Sequence, residues 1–138
     1  MSEKKKIHHM FVYGTLKEGR PLDRPMFAKT RLAVTPATIV GSIFDTGWFP
    51  GVKLDGKHEV VGEIHEFRPK DMKTIIPTMD GIEGYNPDRP EGSNLFNRRA
   101  VTATTKAGEE VEAYVYEFNK DVDEKRRVKS GCWEPSDD

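Results

Sequence analysis

Met72, Ile75, Ile76, Met79 and Ile82 recur at i, i+3, i+4, i+7 and i+10, the apolar stripe of an amphipathic helix. Most other apolar residues gather in short runs of valine, isoleucine, phenylalanine and tyrosine, which read as strands. A helix with one apolar stripe must bury it, and a β-sheet is the surface available. Pro77 sits inside the stripe and removes one intrahelical hydrogen bond, so the helix is expected to kink or split into two.

Strands are expected over about 7–13, 34–45, 52–54, 59–67, 95–105 and 110–118, with a shorter helix near Met26 to Leu32. Asp55-Gly56 is the tight-turn signal between the third and fourth strands, and Gly41 marks a bulge or bend in the second. About six strands with two or three short flanking helices argue for an α+β fold, a small, closed or nearly closed mixed β-barrel with its helices outside. At 138 residues the chain fits one domain and can bury roughly two-thirds of its unfolded surface. The domain is expected over 7–118, followed by a charged tail, 119–138, that Trp133 docks back onto the barrel.

Charge narrows the partner. Lys plus Arg 22 against Asp plus Glu 23 leaves a net charge of −1, which gives no electrostatic case for nucleic acid or an anionic membrane. No apolar run approaches the ~20 residues of a membrane helix, and the charged N-terminal lead has no signal-peptide apolar core. A cytoplasmic protein acting on a small molecule is therefore expected. The single cysteine, Cys132, permits no internal disulfide. The four histidines and one cysteine show no metal-ligand spacing, so no metal is expected and His8-His9 reads as strand-edge surface.

Three places carry chemistry. The apolar run Met10 to Val12 feeds Tyr13-Gly14-Thr15-Leu16, and a strand ending in a glycine turn presents bare backbone N–H groups that can hold a carboxylate or an oxyanion. Glu83 closes the amphipathic helix ahead of Gly84, a C-cap residue. A carboxylate at that negative helix end, partly covered by Tyr85, has its pKa raised, which suits a base that must later return its proton. Along Val60 to Phe67 a period of two sets Glu63 beside His65 and makes it the rival carboxylate. Tyr114, Tyr116 and Phe118 share one face of the last strand, so one tyrosine can reach a cavity. Arg98 and Arg99 read as surface residues. Thr46 to Gly51 is a turn carrying Trp48 and Phe49.

Tyr13-Gly-Thr-Leu16 with Lys17-Glu-Gly19, Gly62-Glu63, Met79-Asp-Gly-Ile-Glu-Gly-Tyr85 and Ser130-Gly-Cys-Trp133, in that order, resemble the gamma-glutamylcyclotransferase-like family. The resemblance is to the branch of gamma-glutamylamine cyclotransferase and the plant avirulence-induced proteins, and it covers about Ile7 to Phe118. It implies a barrel with a cavity at one end and the intramolecular cyclisation of a γ-glutamyl group, releasing 5-oxoproline and a free amine or amino acid without a cofactor. It also implies Glu83 as the catalytic residue and Tyr13, Gly14, Thr15, Leu16, Tyr85 and Tyr116 as substrate contacts. The alternative is a non-catalytic module holding a small γ-glutamyl or acidic ligand. Pro77 departs from the family pattern. No residue selects the leaving amine or an oligomeric state.

Overall fold

The computed structural model describes residues 7–134 apart from 15, 16, 18, 21, 22 and 48. Five strands, β1 (His9–Val12), β2 (Arg31–Asp45), β3 (Pro50–Phe67), β4 (Phe96–Thr105) and β5 (Glu110–Phe118), close into a mixed barrel in the order β1-β3-β2-β4-β5. Two helices, α1 (Pro25–Thr30) and α2 (Met72–Glu83), lie against it. The α+β barrel expected from the residue pattern is the one that forms. Among the described residues no helix is long and apolar enough to cross a membrane.

The strand count differs from the expected six. Gly41 pairs with His58 while its neighbour Ser42 pairs with Lys53, so residues 54–57 bulge out of one continuous β3. The segments on either side of Asp55-Gly56 both pair with β2, and two segments lying end to end on one template cannot also form a hairpin with each other. Gly41 marks the bend in β2, where the register shifts.

Alternation along the strands divides the core in two. Phe11, Ile39, Ile43, Val52, Val60, Ile64 and Val115 fill the barrel. Met10, Val12, Phe67 and Phe118 point outward and meet Met72, Ile75 and Met79 of α2 and Phe27 of α1. α2 does not split at Pro77. Pro77 and Lys73, whose carbonyl loses its partner, are both exposed, and water can replace the missing bond there. Residues 119–134 run back across the barrel: Val128 N–H donates to the Ile43 carbonyl and Val61 N–H to the Gly131 carbonyl, each at 2.8 Å. Trp133 is 2% exposed within the inner core.

β1 is only four residues long, and its shortness shapes one end of the barrel. It lies alongside β5 at Met10 and Tyr114, but further along β5 the neighbour of Glu117 is Val52 of β3. The start of β3 thus takes the place β1 leaves. The Tyr13 hydroxyl bridges this junction, donating to the Tyr116 carbonyl at 2.7 Å and accepting from Val52 N–H at 3.4 Å. Tyr13→Phe removes a buried partner from both backbone groups and is expected to lower stability by about 1–3 kcal/mol, measured by urea unfolding. An unchanged midpoint would show that the junction closes without the hydroxyl.

Candidate active site

Where β1 ends, a cavity of about 130 Å³ opens between the barrel and the last turn of α2. Phe11, Phe49, Ile82, Leu95 and Phe96 supply apolar wall, and Tyr13, Gly14, Glu83 and Tyr116 supply the polar groups. Gly14 stands at a close approach of two segments. A Cβ there would lie 2.5 Å from the Pro50 Cγ, so the start of β3 leaves space for a glycine only. Beyond Gly14, the Lys17 ammonium and the Arg20 guanidinium both donate to the Trp133 carbonyl, at 3.3 and 3.2 Å.

Glu83 is the last residue of α2. Gly84 takes the left-handed conformation at φ +67°, and its N–H returns to the Asp80 and Gly81 carbonyls, as expected for a glycine C-cap. Leu95 N–H donates to the Gly84 carbonyl at 3.2 Å and fixes the turn against the segment leading into β4. Glu83 is the only carboxylate lining the cavity among the described residues, and no lysine or arginine lines it. With no cation to favour the charged form, burial pushes the Glu83 pKa from 4.5 up to about 7. The Tyr13 hydroxyl is also driven well above its ordinary value, first by burial and then by the nearby Glu83 charge. Tyr13 therefore stays neutral.

Tyr116 borders the cavity, but its hydroxyl turns to α2 and donates to Asp80 Oδ1 at 2.7 Å. Burial, then this bond, raises its pKa. The other Asp80 oxygen accepts from Arg98 Nη1 at 2.5 Å. The Arg98 guanidinium lies over the rings of Tyr85, at 5.2 Å, and Tyr114, at 5.1 Å. This group ties α2 to β4 and β5 one turn before Glu83.

The structure thus brings Tyr13, Gly14, Glu83 and Tyr116 to one cavity. Tyr85 does not line it; its ring packs on Arg98 instead. Arg98, expected at the surface, is an ion-paired support. Thr15, Leu16 and Trp48 lie outside the described residues. Glu63 faces the outer side of β3 and pairs with His65 Nε2 at 2.9 Å, away from the cavity lining. Asp80, Leu95 and Phe96 were not singled out from the sequence. Arg98 and Tyr116 are direct cross-strand partners, and that pairing was the available signal for a carboxylate between them and α2. Among the described residues the cavity brings no three metal-ligating groups together.

A family model described as gamma-glutamyl cyclotransferase, AIG2-like, matches residues 10–135. The chain is 34% identical over 115 residues to the gamma-L-glutamyl-butirosin B gamma-glutamyl cyclotransferase of Niallia circulans, covering 82% of this chain and 68% of that protein. An AIG2-like protein from Mus musculus shares the fold with a TM-score of 0.61 at 20% identity, covering 95% of this chain and 97% of that one. YkqA from Bacillus subtilis gives a TM-score of 0.65 at 22% identity, over 91% of this chain and 39% of its own.

The raised pKa of Glu83 has a stability signature. In the unfolded chain the group titrates near 4.5 and in the folded one near 7, so between these values the folded state binds more protons. Stability falls as pH rises through that window, and the full cost is present above it. Glu83→Gln is therefore expected to be more stable than wild type at pH 8 by about 2–3 kcal/mol, with the advantage gone below pH 4.5. Denaturant unfolding at the two pH values checks this; an equal midpoint at pH 8 would contradict it.

Proposed function

The chain belongs to the gamma-glutamyl cyclotransferase, AIG2-like family, and on that premise we propose that it cyclises a γ-glutamyl group to 5-oxoproline and releases the amine that group carried. One observation carries the reading: among the described residues one carboxylate, with its pKa raised to about 7, stands in an apolar cavity beside the glycine turn that ends β1.

The reaction is an intramolecular aminolysis. The α-amine of the glutamyl group attacks its own γ-carbonyl, a C–N bond closes the five-membered ring, and the original amide C–N bond breaks. The amine enters as an ammonium and ends as the ring N–H, so two protons must leave it, while the departing nitrogen takes up one to leave as an amine and a second to become an ammonium. Glu83, ionised near neutrality, takes a proton from the attacking nitrogen and delivers it to the departing one, and the other proton is exchanged with solvent. No electrons change hands and no cofactor is needed.

The γ-carbonyl oxygen becomes an oxyanion as the ring forms. Backbone N–H groups of Gly14, Thr15 and Leu16 are the proposed donors. Support comes from Gly14, which lines the cavity without a side chain beside Glu83. The apolar walls keep water from the carbonyl and hold the chain folded toward ring closure. Tyr13 and Tyr116, both neutral, contribute shape there. Tyr85 acts at one remove by backing Arg98.

Incubating γ-glutamyl amines and γ-glutamyl amino acids with the protein and assaying 5-oxoproline tests the reading. Glu83→Gln is expected to lower turnover by about 10²–10⁴-fold while remaining folded, and normal turnover by the variant would refute the assignment. In wild type kcat/KM should rise with pH through about 7 as Glu83 ionises. Gly14→Ala should raise KM at least tenfold by driving a methyl group into Pro50; an unaltered KM would remove the turn from the binding site.

A further inference from the structure

At the opposite end of β1, two adjacent histidines meet a glutamate that is distant in sequence. His9 and Glu66 are direct cross-strand partners, and Phe67 N–H donates to the His8 carbonyl at 3.0 Å, which carries the pairing one residue further. The rings of His8 and His9 lie 4.2 Å apart, and His9 Nε2 is 3.7 Å from Glu66 Oε2. One ligand atom from each of the three lies within 4.8 Å of the others.

We propose that His8, His9 and Glu66 form a binding site for a single late first-row divalent cation of the zinc class. Two imidazoles and one carboxylate are donors that zinc accepts, with a fourth position left for water. Magnesium and calcium, which want oxygen ligands alone, are excluded by the same donors. Tetrahedral zinc holds donors about 3.3 Å apart, so the His9–Glu66 contact need shorten by only a few tenths of an ångström. All three residues are half-buried, and paired backbone sets their positions. His8 Nδ1 lies 3.9 Å from Glu66 Oε2 and 2.9 Å from the Phe67 carbonyl, so it exchanges that hydrogen bond for the cation when the site fills.

Five residue steps along and just past β1, roughly 16 Å at full extension, separate His9 from Gly14. The cation therefore braces the start of β1 against the end of β3 and does not touch the cavity. The site stands independently of the reaction proposed above.

Calorimetric titration of the full chain with zinc chloride, with magnesium chloride as control, tests this. Expected are saturable 1:1 binding of zinc, none of magnesium, and a rise in Tm of about 5–10 °C at zinc a hundredfold above Kd. His9→Gln and Glu66→Gln should each weaken zinc binding at least tenfold, with an unchanged circular dichroism spectrum and unchanged 5-oxoproline formation. Should one variant misfold, the other decides. Absence of saturable zinc binding by wild type overturns the site, as does undiminished binding by the folded variants.

Discussion

A barrel stave that stops short governs this molecule. β1 provides four residues of strand where its neighbours provide nine to eighteen, so it cannot run the length of the barrel. Beyond Val12 the wall must be completed by other means, and the start of β3 moves in beside β5 to complete it. Two consequences follow from that substitution. Pro50 comes so close to Gly14 that a side chain on Gly14 is excluded, and the Tyr13 hydroxyl takes up backbone groups from both strands that meet there. What remains of the gap is the cavity.

Filling that gap with a carboxylate is unfavourable for folding, since burial resists its ionisation. The fold holds it there through the helix that carries it. The apolar stripe of α2 seats the helix on the outer face of the barrel, Gly84 ends it by reversing the chain, and Asp80 locks it to Arg98 and Tyr116. A buried ion pair of this kind contributes little net stability, because desolvation offsets most of its attraction. Here its effect is positional: it settles where the last turn of α2, and so Glu83, lies relative to β5. Uncompensated burial of this sort is common where stability has yielded to function.

Much of this was legible in the residues. The spacing of Met72 to Ile82 marks α2, Gly84 marks its end, and the glycine turn after Val12 marks the place where β1 gives way. Tyr13, Gly14, Glu83 and Tyr116 converge as the motifs suggest. Local signals failed where pairing over long sequence distance decides the outcome. Asp55-Gly56 has the chemistry of a hairpin turn, yet β2 is long enough to template both flanking segments, and the pair became a bulge. The period of two correctly put Glu63 on a face with His65 and Phe67, but which face meets the cavity is set by the register with β1. Arg98 reads as a surface charge until its cross-strand partner, Tyr116, and Asp80 are seen together. The same limit hid the grouping of His8 and His9 with Glu66, residues brought together only by strand pairing.

The acid facing the unfinished end of the barrel is the centre of the proposed chemistry, and its ionisation can be observed directly. Selective ¹³C labelling of glutamate side chains, with the Glu83 signal assigned by its loss in Glu83→Gln, allows the carboxyl carbon to be followed by NMR as pH is varied. A titration midpoint near 7 is expected, well separated from the exposed glutamates. A midpoint between about 4 and 5, where an unperturbed glutamate titrates, would mean that water reaches the carboxylate freely and that the cavity does not hold a base suited to proton transfer.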